Sequence, residues 1–384
     1  MVNPSKGQSF FLFGPRGSGK STLLRELFGK EPEPLWIDFL DQQTEFEYSN
    51  NPNLVLQRWL IDKPKWIIID EVQKVPSVLD VAHLGIEKHR IKFAFTGSSS
   101  RKLRKGGANL LANRVASFSL APFSSIELKT KFNLTRALSI GLLPRFWSDE
   151  SLTPEDIHRA LYSYVQTYLK EEVAAEQLVR NLAPFRRFLI CAAQTAGKVV
   201  NYAQLERDSG VTHSQAERHF EILVDTLIGQ YLEPFDNSLR KRQTKKSKFY
   251  FFDTGVIRAL RDLLAEALTP STFEYGDLFE SFVINEFFKI SSALEKRWKF
   301  SFLRTQNNLE IDLILEKPRG APILIEIKST NRIVDDHIQS LKKISSTLSH
   351  SEKYLLSNDP LTKEIHGIRC LPWQDGLQEI FELK

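Results

Sequence analysis

Short apolar runs separated by longer polar stretches set the layout of the first third of the chain. From Ser9 to about Leu128 the strand candidates FFLFG, LWIDF, WIIID and FAFTG alternate with polar segments of helical length. That rhythm predicts a parallel sheet with crossover helices. From about Phe132 to Leu268 the apolar spacing is mostly helical, and it ends in a basic segment followed by the strand candidate KFYFFD. Beyond Ser271 a helix, YGDLFESFVINEFFKI, precedes the strand candidates FSFLRT, EIDLILE and ILIEIK and then a helix around Asp335 to Leu348. The pattern predicts three units: an α/β nucleotide-binding unit over 1–130, a helical connector with a DNA-binding-like module over 131–268, and a second α/β unit over 269–384.

The first strand candidate runs into FGPRGSGKSTLL, in which Gly14 is followed by Pro15, Arg16, Gly17 and Ser18, then Gly19, Lys20, Ser21 and Thr22. Glycines at this spacing between a strand and a helix let the backbone wrap phosphates with its N–H groups pointing inward. The following helix adds a favourable field for the anion. Lys20 is expected at the β- and γ-phosphates of ATP, and Ser21, with Thr22 beside it, at Mg²⁺. The third strand candidate ends in Asp70 and Glu71. Acids at the carboxyl end of such a strand suit a second-sphere Mg²⁺ ligand, Asp70, and a residue that orients the attacking water, Glu71. Thr96 and Ser98, after the fourth strand candidate, are placed to sense the γ-phosphate, against the alternative of an ordinary turn. Arg114 is a candidate arginine finger, acting within the subunit or on a neighbour, against the alternative of a solvated or salt-bridged arginine.

In this order, GPRGSGKST, IDEVQKVP, FTGSSS and NRVASFSLAPFS resemble the prokaryotic AAA-type ATPases whose C-terminal half is catalogued as domain of unknown function 4143. The similarity continues through GLLPRFW, YLKEEV, YFFDTGVIRAL and GDLFESFVINEF, so it spans nearly the whole chain. Where that family often has Gly-Arg, this chain has Asn113-Arg114. The resemblance implies an ATPase followed by a winged-helix module and a nuclease-like domain. By analogy with ring-forming AAA-type machines it also implies a homo-oligomer.

The segment NYAQLERDSGVTHSQAERHFEILVDTLIGQYLEPF reads as a helix, a turn at Gly210 and a second helix. Thr212 and Gln215 are spaced as a capping box, with Ser214 as the alternative cap. Ala216, Phe220, Leu223 and Leu227 mark the buried face, and Gln215, Glu217, Arg218 and Glu221 the outer one. A hairpin would follow as a wing, its charge concentrated in Arg240, Lys241, Arg242, Lys245, Lys246 and Lys248. Contact with a phosphate backbone, DNA in preference, is the expected use of that run. The mixed charge of the outer helix face offers no base-reading code.

In EIDLILEKPRGAPILIEIKS a turn around Pro318 to Pro322 joins two strands. Glu326 and Lys328, two apart, then share a face, and Asp312 on the preceding strand can approach them. With Glu280 on the upstream helix, this set resembles the core of PD-(D/E)XK nucleases. Asp312, Glu326 and Glu280 would bind Mg²⁺ and Lys328 would position water or neutralise charge. Glu310 and Gln339 read as solvated side chains. Two functions stay open: an ATP-driven machine that acts on nucleic acid and can cut it, or a nucleotide-controlled switch that binds a protein partner through a catalytically silent C-terminal domain.

Composition narrows these choices little. The 384 residues are 42% hydrophobic and 26% charged, ordinary for a folded globular chain. No apolar run approaches the roughly 18 residues of a bilayer span, and the N-terminus lacks the marks of a secretory signal. Cys191 and Cys370 lie far apart without metal-like spacing, so the expected compartment is a reducing cytoplasm. A net charge of +5 permits nucleic-acid contact without requiring it.

Overall fold

The computed structural model describes residues 7–29, 33–98, 111, 114–168, 182–236, 246–305, 309–344, 348 and 350–383. The first unit is built on five strands, β1 (Phe10–Phe13), β2 (Leu35–Asp38), β3 (Trp66–Asp70), β4 (Lys92–Gly97) and β5 (Ala116–Ser119). All pairings are parallel and the order is β2-β3-β4-β1-β5. Every residue of β3 is buried, as a strand covered by helices on both faces requires. Alternate residues feed opposite faces: Ile67, Ile69, Phe93 and Phe95 pack on one side, and Phe10, Leu12, Trp66 and Ile68 on the other with Leu24 and Phe28 of helix Lys20–Phe28. Because β4 lies between β1 and β3, its carboxyl end separates the phosphate loop from the two acids.

The second sheet has eight strands: β6 (Gly229–Pro234), β7 (Lys248–Phe251), β8 (Lys299–Arg304), β9 (Glu310–Glu316), β10 (Ile323–Lys328), β11 (Glu352–Ser357), β12 (Lys363–Ile365) and β13 (Ile368–Pro372). Their order is β12-β13-β11-β10-β9-β8-β6-β7. The predicted wing, β6 and β7, is an antiparallel pair that extends this sheet through Glu233 and Pro234, which pair with Ser301 and Phe302 of β8. A single apolar core runs from Leu128 through Phe188, Phe220 and Phe282 to Phe381. The expected division at residue 268 therefore falls within one sheet and one core.

The helix-turn-helix comprises Tyr202–Ser209 and His213–Asp225, with Gly210 in the left-handed region at φ 72°. Thr212 and Gln215 form the capping box at the second helix. Ala216, Phe220 and Leu223 are buried as expected. Leu227 is not on the buried helical face: the helix stops at Asp225, Leu227 turns the chain at φ 61°, and Ile222 takes the inward place. Within the last predicted helix the described residues form a 3₁₀ turn over Asp335–Ile338 and a helix over Gln339–Ile344, and 345–347 lie outside the described residues.

Helix Phe273–Ala293 joins the units. Its Glu286, fully buried, accepts hydrogen bonds from Ser125 N at 2.7 Å and Ser125 Oγ at 2.6 Å. Lys289 lies 3.2 Å from the same carboxylate and donates to Phe123 O at 2.9 Å. Buried polar groups of this kind are costly unless paired, so these bonds fix how the long helix meets the end of the first unit.

Candidate functional site

The chain leaves β1 at Phe13 and re-enters regular structure at Lys20, with Gly17 at φ 78° and Gly19 at φ 90°. Both angles lie where a side chain is strained and glycine is not. At Gly14 a Cβ would sit 2.3 Å from Leu120 O, so the loop passes another backbone closer than any other residue allows. Lys20 is buried, and its ammonium donates to Gly14 O at 2.9 Å and Pro15 O at 3.2 Å. Ser18 Oγ is buried with no hydrogen-bond partner. The nine-residue helix Lys20–Phe28 begins without a side-chain cap, leaving backbone donors at its N-terminus for an anion. These features fit a phosphate group. Ser21, half-buried, and Thr22, exposed, line a cavity of about 1510 Å³ beside Arg16 and Lys20.

The acids arrive from β3. Asp70 is 1% exposed and accepts a hydrogen bond from Thr96 Oγ1, which in turn accepts from Glu71 N at 2.9 Å. Glu71 turns the backbone at φ 55°, a conformation that a non-glycine residue holds only where its surroundings enforce it. Its carboxylate accepts from Gln73 Nε2, which also lies 3.1 Å from Ser98 Oγ. Both Thr96 and Ser98 are buried. Asp70, Glu71, Thr96 and Ser98 thus converge through hydrogen bonds. Gln73 carries little signal in the sequence, a polar amide two residues past the strand-end glutamate.

Arg114 does not join this group. It precedes β5, whose Ala116 pairs with Phe10 at the start of β1, so it stands at the amino edge of the sheet, opposite the phosphate loop. There it pairs with Glu87, with Nη2 at 2.5 Å and Nε at 2.7 Å. A role as an arginine finger within its own subunit is incompatible with that position.

The C-terminal residues do meet, with an unexpected member. Lys328 Nζ lies 2.6 Å from Glu326 and 4.0 Å from Asp312, whose Oδ2 accepts from Ile327 N at 2.8 Å. Glu280 accepts from Tyr250 OH at 2.7 Å and lies 3.2 Å from Lys248. Lys248 also sits 2.6 Å from Glu310 and over the ring of Phe302. Burial and the neighbouring carboxylates push Asp312 up to about 6 and Glu326 up to about 8, against the partial compensation of the lysines. Those same acids hold both lysine ammonium groups above the usual lysine range, more than offsetting burial.

Lys248 and Glu310 depart from the solvated positions that the sequence suggests. Lys248 is not a wing cation facing a phosphate backbone: only 3% exposed, it is committed to the acids because β7 is an inner-facing strand. Glu310 is no solvated spare but one of its partners. Arg240, Lys241, Arg242 and Lys245 lie outside the described residues, and Lys246 is exposed. Glu326 Oε2 is buried without a partner, which would suit a cation. Yet among the described residues no group of three or more His, Cys, Asp or Glu side chains converges as a metal site. The expected Mg²⁺ ligation by Glu280, Asp312 and Glu326 finds no such cluster there, and Glu280 and Glu326 pair with Lys248 and Lys328. Gln339 donates to Asp335 O at 3.3 Å, within its own turn.

Among the described residues no helix is long and apolar enough to cross a membrane. Three family models match the chain in succession: an AAA domain over residues 6–129, a domain of unknown function (DUF8612) over 131–267 and a domain of unknown function (DUF4143) over 275–375. Uncharacterized proteins of Mycobacterium bovis and Mycobacterium tuberculosis are each 27% identical over 322 residues, covering 83% of this chain and 70% of theirs. A solved structure of the replication initiator DnaA bound to AMPPCP and single-stranded DNA aligns at 11% identity over 56% of this chain and 82% of its own, with a TM-score of 0.29, too low to support any inference. The chain thus carries an N-terminal AAA-like domain with a parallel sheet and a C-terminal domain of the 4143 type, joined by a middle region that matches a family of its own.

Proposed function

We propose that the N-terminal unit binds ATP with Mg²⁺ and hydrolyses it, and that the remaining two-thirds of the chain is the output it controls. The observation that carries this reading is convergence: the phosphate loop, Thr96–Ser98 and Asp70–Glu71 end β1, β4 and β3, three adjacent strands. Lys20 would exchange its carbonyl partners for the β- and γ-phosphates. Glu71 would exchange Gln73 for the attacking water, orienting it and taking up its proton. Ser21 and, behind it, Asp70 would hold Mg²⁺, which when bound neutralises charge on the phosphate oxygens. Steady-state ATP turnover tests this. Lys20→Ala should lose at least about 100-fold, the scale of removing one preorganised donor; turnover equal to wild type would sink the assignment.

For the output half, the second reading is the better supported, a switch whose C-terminal domain does not cut. Lys248 and Lys328 occupy the carboxylates that a metal would need. Contact with nucleic acid through the basic run at 240–246 is compatible with either reading. Mg²⁺-dependent cleavage of DNA or RNA by the wild type, lost in Asp312→Ala, would restore the nuclease.

A further inference from the structure

Two elements reach from the nucleotide cavity to the C-terminal cluster of acids and lysines, and they are tied together along their length. One is helix Phe273–Ala293, and the other is β7 (Lys248–Phe251) with its continuation to Asp253. At the cluster they meet through Glu280, which accepts from Tyr250 OH at 2.7 Å and lies 3.2 Å from Lys248. Midway, Asn285 Nδ2 donates to Phe251 O at 2.8 Å. At the far end stand Glu286 and Lys289 on the helix and Asp253 past the strand. Glu286 and Asp253 are buried, and the Lys289 side chain is 9% exposed. From Glu280 to Glu286 a helix advances about 9 Å, and from Tyr250 to Asp253 an extended chain advances about 10 Å, so the ties stay in step.

The far end grips the nucleotide cavity at two places. Ser125 gives its N–H and its hydroxyl to Glu286, and Lys289 Nζ donates to Phe123 O at 2.9 Å. Phe123 lines the cavity and follows Leu120, whose carbonyl a Cβ on Gly14 would strike. The second grip is on the turn after the first unit. Asp253 Oδ2 accepts from Leu142 N at 2.6 Å, and Leu142 O accepts from Phe123 N at 3.1 Å. That turn puts Pro144 and Arg145 on the cavity wall, and it sets Leu143 and Pro144 at 3.5 and 3.7 Å from where Cβ atoms on Gly17 and Gly19 would sit. Gly141 holds φ 76° there, and any side chain on it would overlap the Asp253 carboxylate.

The two grips are also one electrostatic unit. Burial raises the Asp253 carboxyl, and the bond from Leu142 N and the charge of Lys289 oppose it. Lys289 thus acts on Glu286 and Asp253 together. Buried charges are costly to leave unmet, so these contacts tolerate little change in length. A displacement of Phe123 or of the turn is then passed on to the helix and the strand rather than absorbed between them.

We infer that helix Phe273–Ala293, braced by β7 and Asp253, is the strut through which nucleotide at the phosphate loop alters the Lys248–Glu280–Glu310 cluster. This rests on the ATP reading above and names the route of the control proposed there. The route enters the cluster at Glu280 and Lys248, on the side where a polar cavity of about 230 Å³ is lined by Lys198, Asp277 and Arg304.

Titration of the full chain with a slowly hydrolysed ATP analogue and Mg²⁺ tests the inference, because coupling between two sites is reciprocal. Lys248→Met, in the second sheet, should change the affinity for the analogue at least about 5-fold, the lower end for coupled sites. Tyr250→Phe, which removes only a hydroxyl, should change it in the same direction, and it serves where Lys248→Met does not fold. In a Lys289→Met background both substitutions should lose most of that effect, and in a Lys289→Arg background they should keep it. Unchanged affinity in Lys248→Met and Tyr250→Phe, or an equal effect with and without Lys289→Met, overturns the strut while leaving nucleotide binding intact. A wild type that does not bind the analogue overturns the ATP reading and the inference with it.

Discussion

Two clusters in this chain are made of the same residue types, acids with lysine at strand ends, and they differ in where the lysines are spent. In the N-terminal site Lys20 donates to the carbonyls of Gly14 and Pro15, while Asp70 is held by the hydroxyl of Thr96. An incoming phosphate or cation would there displace hydrogen bonds to carbonyls and to a hydroxyl. In the C-terminal cluster Lys248 bonds Glu280 and Glu310, and Lys328 bonds Glu326. Both lysines there already have their counter-ions, and a ligand would have to break a half-buried ion pair to enter. Residue type sets the chemistry a site can do, and the pairing of its charges decides whether it is poised to do it.

The sharpest way to break the contrast is at Glu71. If the first cluster is poised for hydrolysis, Glu71→Gln should keep ATP affinity and lower turnover by about 10² to 10⁴-fold, the span attributed to a positioned base. A loss of affinity with unchanged turnover would make Glu71 a binding residue and the contrast one of ligand access only.

Next in size is Lys248→Met, which keeps the apolar stem and removes the charge. Glu280 would keep only Tyr250 OH and Glu310 only the more distant Arg304 at 3.9 Å among these partners, at a cost of about 3 kcal/mol, toward the lower end for a broken buried pair because both acids keep some exposure to water. The midpoint of urea unfolding should fall, and Lys248→Met combined with Glu310→Gln should recover part of the loss. No change in the single variant would return Lys248 to the surface, where the charge pattern of the sequence had placed it.

Lys248 also marks the limit of what could be read from the residues. The phosphate loop, Asp70 and Glu71 were legible because local spacing carries them: glycines at fixed offsets, a strand before and a helix after, and acids at a buried strand's end. Asp312, Glu326 and Lys328 followed from alternation along two strands of one hairpin. Lys248 sits in a run of basic residues that looks solvated, and only the pairing of β6 with β8 turns β7 inward beneath Glu280. Long-range pairing of this sort leaves no periodic trace. The same applies to Arg114 and Arg145: both are arginines near the end of the first unit in sequence, and only the strand direction and the Asp253 anchor send one away from the cavity and the other into it.

The smallest effect tests whether the acids of the second cluster are held at a cost. Glu326 has a folded-state pKa raised to about 8, from burial and then from Asp312. A raised carboxyl favours the folded state while both states are protonated, and that advantage is lost as pH rises through the folded value. Asp312, raised to about 6, acts in the same direction at lower pH. His219, lowered to about 4 by burial between Phe185 and Phe188, acts in the opposite direction between about 4 and 6.5 and masks them there. From pH 6.5 to 8 only the Glu326 contribution remains large among these three, since the lysines stay charged. Stability should therefore fall across that window, by about 1 kcal/mol once the half-exposed Lys328 partner is allowed for. Glu326→Gln, which cannot ionise, should flatten the profile. A wild-type stability that rises with pH over the same range would mean the lysines more than repay the carboxylates, and the second cluster would then be as well prepared for charge as the first.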